Sequence, residues 1–163
     1  MSENNIRLLC TGDLHLGRHP SRIPAEYDSR QYSPVFLWER IVQRAIEQEI
    51  DALLITGDII DRENRYFEAF GPFEAGVKKL AAKNIAVVVI AGNHDYDVLP
   101  GLIRNIDLDN LIFLGAEGKW EYKTLERNGK VILGIMGWSY PDRQVRKDPL
   151  EDIVLPPDDI PLI

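Results

Sequence analysis

Three apolar runs, Ile6 to Cys10, Ala52 to Thr56 and Ile85 to Ala91, each lead into a short polar motif. The motifs are Asp13-Leu14-His15, Gly57-Asp58-Ile59-Ile60-Asp61 and Gly92-Asn93-His94-Asp95. No other feature constrains the fold of this chain as strongly. A short run rich in β-branched residues and bounded by turn residues reads as a strand buried on both faces. The stretches between the runs carry helical spacing, and parallel strands are the ones that need such crossovers. Strands joined in this way bring their carboxyl ends to one edge of the sheet, where open α/β folds bind ligands. Asp13, His15, Asp58, Asn93, His94 and Asp95 are therefore expected to meet at one edge. A set of carboxylate and amide oxygens with imidazole nitrogens suits one or two divalent cations.

The connecting segments agree with that order. Ser33-Pro34 supplies an N-cap and a proline at the first helical position. Val35, Trp38, Ile41, Val42, Ala45 and Ile46 then recur at helical spacing. A second helical stretch covers about Tyr66 to Lys83, with Gly71-Pro72 marking a kink or a fresh start and Asn84 a stop. After the third motif, Leu99 to Ile106 reads as a short helical or irregular segment and Leu111 to Leu114 as a strand. Trp120 to Leu125 and Lys130 to Met136 flank Asn128-Gly129, the strongest short hairpin signal. The tail from Asp148, with Pro149, Pro156, Pro157 and Pro161 among acidic residues, reads as loop. Leu16 to Ser33 is a long loop of the kind that is usually functional or mobile. No internal repeat or linker divides the chain, so residues 1–163 are expected to form one domain with a mixed-sheet α/β fold.

Composition narrows the function classes. A length of 163 residues with 45% hydrophobic content supports a globular core. The net charge of -7 removes any global attraction to nucleic acid, although acidic groups also gather where cations later neutralise them. Local basic groups, Arg18, Arg22 and Arg30 and then Arg143, Arg146 and Lys147, read first as solvated surface. Cys10 lies inside the first apolar run and is expected to be a buried structural thiol. No signal-peptide core follows Met1 and no apolar run reaches membrane-spanning length, which makes the cytoplasm the expected compartment and excludes a membrane partner.

Taken singly, Asp13-Leu14-His15 also reads as a strand-end Asp with a satisfied His nearby, and the other two motifs as ordinary turns, because Gly, Asn and Asp favour turns for backbone reasons. Their shared order after three strands is what favours a metal centre. The three segments together resemble the first signature motifs of the calcineurin-like metallophosphoesterases. Gly12-Asp13-Leu14-His15-Leu16-Gly17-Arg18 and Gly57-Asp58-Ile59-Ile60-Asp61-Arg62 resemble more narrowly the SbcD-type DNA repair exonucleases, the bacterial counterparts of the eukaryotic double-strand-break nuclease. The resemblance covers most of residues 6 to 140. It implies a two-sheet sandwich flanked by helices.

One departure matters. Members of that family carry two further histidine motifs downstream, a lone His after a strand and then Gly-His-x-His. This sequence holds only His15, His19 and His94. Ile160-Pro161-Leu162-Ile163 reads as the start of an apolar strand, and the chain is expected to be the N-terminal part of a longer protein, truncated before its last strands and the remaining ligands.

The resemblance also implies roles. Asp13 and His15 would bind a first metal ion, Asp58 would bridge two, and Asn93 would offer a neutral oxygen to the second. His94 would be the general acid on the leaving oxygen, with Asp95 orienting its ring. Asp61 and Arg62 are candidates for supporting the ligands or for a helix-start charge pair, and His19 reads as solvated. Two divalent ions are implied, manganese first, with magnesium, iron or zinc as alternatives. The implied activity of the complete protein is metal-dependent DNA cleavage in double-strand-break repair with an ATPase partner subunit, and a homodimer is compatible with it. A phosphodiesterase or phosphatase acting on small phosphate esters, or a metal-binding fragment without activity, is the alternative. This chain by itself is expected to hydrolyse poorly, because the second ion has only Asp58 and Asn93.

Overall fold

The Ser33 hydroxyl accepts the Phe36 N–H at 3.1 Å, and Pro34 opens the first helix, so α1 (Pro34–Glu47) begins where its cap and proline dictate. In this computed structural model the described residues are 5–18, 24, 26, 28–60, 66–157 and 160–163. His19, Arg22, Asp61 and Arg62 lie outside them. Four strands, β1 (Leu8–Thr11), β2 (Ala52–Thr56), β3 (Ala86–Ile90) and β4 (Leu111–Phe113), form one parallel sheet in the order β1-β2-β3-β4. Leu9 lies beside Leu53, Leu53 beside Val87 and Val87 beside Leu111, so the three motif-bearing strands end level with one another. The crossovers are α1, α2 (Tyr66–Ala81) and α3 (Leu99–Arg104). Gly71-Pro72 neither breaks nor restarts α2, which runs through Pro72; its carbonyl accepts the Trp38 indole N–H at 3.0 Å.

Strand alternation then sorts the side chains into two cores. Leu53, Ile55, Val87 and Val89 face the helices and are buried with Trp38, Val42, Phe73, Val77, Leu80, Leu99 and Leu102. Ala52 and Val88 face the other way, where Leu125, Leu133 and Ile135 of a hairpin cover them. The hairpin strands are β5 (Glu121–Arg127) and β6 (Lys130–Gly137), antiparallel and joined through Asn128 (φ 55°) and Gly129 (φ 72°). Two positive-φ residues in a two-residue loop match the twist of the flanking strands. Residues 161–163 lie along the free edge of β6: Gly134 N–H donates to the Pro161 carbonyl at 2.8 Å and Ile163 N–H to that of Gly134 at 3.0 Å. Helices, parallel sheet and antiparallel sheet thus make three layers, the mixed α/β architecture expected. Among the described residues no helix is long and apolar enough to cross a membrane.

Two expectations are corrected. The first strand begins at Leu8 rather than Ile6. Cys10 is exposed, not buried. It shares a sheet face with Leu8, but the hairpin layer reaches Leu8 and Leu54 and stops short of Cys10 and Thr56.

At the opposite end of the sheet Asp51 joins the layers. Its carboxylate accepts the Arg7 N–H at 2.8 Å and the Arg127 Nε–H at 2.8 Å, and its backbone carbonyl accepts the Ala86 N–H at 3.1 Å. Asp51→Ala would leave the guanidinium of Arg127 and one backbone donor without this acceptor. The unfolding free energy should fall by about 2 kcal/mol. Urea titration checks this, with a lower midpoint at unchanged slope as the expected outcome.

Candidate metal centre

Beyond its last ladder residue each of the first two strands turns sharply. Leu14 and Leu16, then Ile59 and Ile60, are buried and act as anchors. Between them Asp13 (φ 58°), His15 (φ 46°) and Asp58 (φ 53°) adopt the left-handed conformation. Such backbone costs free energy for a side chain with a Cβ and persists only where the surroundings over-determine it. Here they do. Asp13 N–H donates to the Gly57 carbonyl at 3.1 Å, His15 N–H to that of Asp58 at 2.9 Å and Leu16 N–H to that of Ile59 at 2.7 Å. The parallel ladder in effect continues past the strands, so the two loops cannot move independently.

The third loop is brought against the second by two glycines. A Cβ on Gly57 (φ 91°) would stand 2.8 Å from the Gly92 Cα, and one on Gly92 would overlap the Asp58 carboxylate. The same carboxylate accepts the His94 N–H at 3.0 Å. Asp95 completes the join. Fully buried, it accepts the Gly92 N–H at 2.7 Å on one oxygen and, on the other, those of Ile59 at 2.7 Å and Ile60 at 3.4 Å. Its carboxyl is pushed up to about 6 on balance: burial raises it most, the three amides pull against that, and the Asp58 charge adds to the rise. Both Asp95 oxygens are thus engaged with backbone amides, and the structure gives this carboxylate partners other than the His94 ring expected of it.

These contacts gather most of the residues singled out by the sequence. Asp13, His15 and Asp58 each offer a ligand atom, and the three atoms lie within 4.8 Å of one another. His15 Nε2 meets Asp13 Oδ1 at 2.8 Å, while its Nδ1 is buried and without a hydrogen-bond partner. The His94 ring stands edge-on to that of His15, with centroids 5.2 Å apart at 84°. Asn93 is half-buried in the turn between Gly92 and His94. Two carboxylates and an imidazole, converging with one ring nitrogen idle, fit a divalent cation by donor chemistry. His19, Asp61 and Arg62, outside the described residues, are not placed relative to this cluster. Ser139, which no motif singled out, sits behind the third loop: its buried hydroxyl accepts the Ala91 N–H at 2.8 Å.

A parallel sheet sandwiched between helices and a second sheet, with carboxylates and imidazoles at its carboxyl edge, is a layered α/β architecture carrying a candidate metal site. The chain belongs to the calcineurin-like phosphoesterase family, whose family model it matches over residues 6–159. That family carries out metal-dependent phosphoester hydrolysis and generally binds two divalent ions. The chain is similar to the uncharacterised metallophosphoesterase YhaO of Bacillus subtilis, 26% identical over 148 residues, which are 88% of this chain and 36% of that protein. It is similar to the DNA double-strand break repair protein Mre11 of Nanoarchaeum equitans, 32% identical over 83 residues, 51% of this chain and 22% of that one. A solved dimetal phosphatase from Danio rerio is 16% identical, with a TM-score of 0.49 over 88% of this chain and 48% of the other. The chain spans 36% or less of the length of these curated relatives.

Asp95→Asn should lower the unfolding free energy by about 2 kcal/mol, since one carbonyl oxygen cannot accept amides on both sides and the new NH₂ faces a donor. Thermal or urea denaturation of the metal-free chain checks this. Gly92→Ala should displace the Asp58 carboxylate and weaken cation binding about 10-fold, measured by manganese titration calorimetry.

Proposed function

We propose that Asp13, His15, Asp58 and Asn93 hold two divalent cations, manganese first, and that His94 protonates the leaving oxygen of a phosphoester. The observation that carries this reading is the convergence of three ligand atoms within 4.8 Å, with the His94 N–H bonded to one of the carboxylates, that of Asp58. Asp13 and His15 would hold the first ion, and Asn93 the second. Asp58 is suited to bridge because it keeps lone pairs free after accepting the His94 amide. When bound, such ions supply a nucleophile at neutral pH and neutralise charge on the phosphoryl oxygens.

The protein's own contribution is positioning and proton transfer. The His94 amide anchored on Asp58 fixes the root of the imidazole beside the cluster, and the His15 ring packs against its edge. An imidazole suits donation to a leaving alkoxide because it exchanges a proton near neutral pH. Asp95 acts on this arrangement through the backbone: it holds the loop bearing Asn93 and His94 against the loop bearing Asp58.

For the complete protein we read the substrate as DNA, cleaved in double-strand-break repair in the cytoplasm with an ATPase partner subunit. The Mre11 proteins among its relatives, which are DNA double-strand break repair proteins, support the DNA part of this reading. A net charge of -7 favours the second reading, a phosphodiesterase or phosphatase of small phosphate esters, because nothing global attracts a polyanion. A manganese-dependent assay of the complete protein on single- and double-stranded DNA against a chromogenic diester separates them. Faster turnover of DNA is the expected result, and turnover of the diester alone would replace it with the second.

The ligand roles have their own test. In the complete protein Asp58→Asn should weaken both ions, each by about 10-fold or more, whereas Asn93→Ala should weaken one. Metal content after equilibrium dialysis against manganese reads the difference, and equal losses would contradict a bridging Asp58.

A further inference from the structure

Among the described residues two polar side chains are buried, Asp95 and Ser139. The first joins two motif loops. The second belongs to no motif and follows β6 by two residues, yet it is 1% exposed. Its Oγ accepts the Ala91 N–H at 2.8 Å and donates to the Leu114 carbonyl at 2.5 Å. The ladder between β3 and β4 explains that position. Val87 N–H donates to the Asn110 carbonyl at 2.7 Å, so four residues further along both strands a rung would join Ala91 N–H directly to the Leu114 carbonyl. The Ser139 hydroxyl occupies that rung. The neighbouring backbone follows: Ser139 N–H donates to the Gly115 carbonyl and Tyr140 N–H to that of Ala91, both at 3.1 Å. Residues 139–140 therefore strap the ends of β3 and β4 together at one hydroxyl's separation.

The separation has a direction. A direct N–H···O bond holds its heavy atoms about 2.9 Å apart, and a hydroxyl inserted between them holds them further apart. β3 accordingly parts from β4 just where Gly92-Asn93-His94 begins. On the β2 side, a Cβ built on Gly57 or Gly92 would meet the Gly92 backbone or the Asp58 carboxylate, so the start of the turn lies directly against that loop. We infer that Ser139 is a positioning residue of the metal centre: its hydroxyl, spliced into the β3–β4 ladder, sets the Gly92-Asn93-His94 turn against Asp58. The consequence for metal binding rests on the function proposed above, whereas the geometric consequence does not. Without the hydroxyl, Ala91 N–H and the Leu114 carbonyl are left to pair directly. That closure draws Gly92 toward β4 and away from Asp58.

The test compares Ser139→Ala, Ser139→Thr and Ser139→Val in the full 163-residue chain. Threonine and valine have nearly the same shape, and only threonine keeps a hydroxyl. In the metal-free protein, hydrogen exchange at the Gly92 and His94 amides should accelerate about 10-fold in the alanine and valine variants, and far less in the threonine variant. Amides of Leu53 and Val87 in the strands should keep their protection. Manganese affinity should fall about 10-fold in the same two variants and be restored by threonine. A residue that only fills space would be rescued equally by valine, and that result overturns the inference, as does unchanged exchange at Gly92 and His94 in the alanine variant. Asp58→Ala serves as the control. If it binds manganese as the parent does, the metal reading fails, while the exchange data still decide the role of Ser139.

Discussion

One buried carboxylate holds the site together. Asp95 reaches the amides of Gly92, Ile59 and Ile60, and thereby ties the loop after β3 to the loop after β2. A carboxylate in an apolar setting is costly unless its oxygens are satisfied, and satisfied here means bonded to backbone on two separate loops. The same interaction that relieves the cost of burying it fixes the distance between Asp58 and the Asn93-His94 turn. Removing that tie would leave the loops to their own preferences, which the left-handed Asp58 shows are not the site geometry.

Three of the proposed ligands share that left-handed backbone. Each lies beside a fully or nearly fully buried aliphatic residue, Leu14, Leu16 or Ile59, and each is hydrogen-bonded across to the neighbouring loop. The strain is offset by packing below and by ladder bonds beside, so the backbone itself holds the three ligand-bearing residues in place. Asp51 and Arg127 do comparable work at the far end of the sheet, where they lock the hairpin layer to β1, β2 and β3.

Much of this was legible from residues alone. The Ser33-Pro34 start, the Asn84 stop, with its positive φ, and the Asn128-Gly129 turn all report local backbone chemistry, and local chemistry is what a sequence encodes most directly. Pro72 was less legible, because whether proline ends a helix depends on what its neighbours can accept; the Trp38 indole on its carbonyl is one such tertiary compensation. Cys10 misled for a related reason. Its apolar run marks it as a strand residue, but burial depends on how far the opposing layer extends, and the hairpin stops short of it.

The division between the two sources of information follows from range. The alternation of strands, helices and motifs by itself pointed to a parallel sheet with Asp13, His15, Asp58, Asn93 and His94 after the carboxyl ends of its strands, since parallel strands joined by helical crossovers end on one side. What only the tertiary structure decided is how those residues are held. Asp95 turns to backbone amides rather than to His94, and Ser139, 44 positions from Asp95 in the sequence, occupies a rung of the β3–β4 ladder. The reason is physical. A side chain that bonds to backbone N–H and C=O groups meets partners that every residue carries, so nothing in the identity of its neighbours in sequence announces the contact, and only the folded distances do.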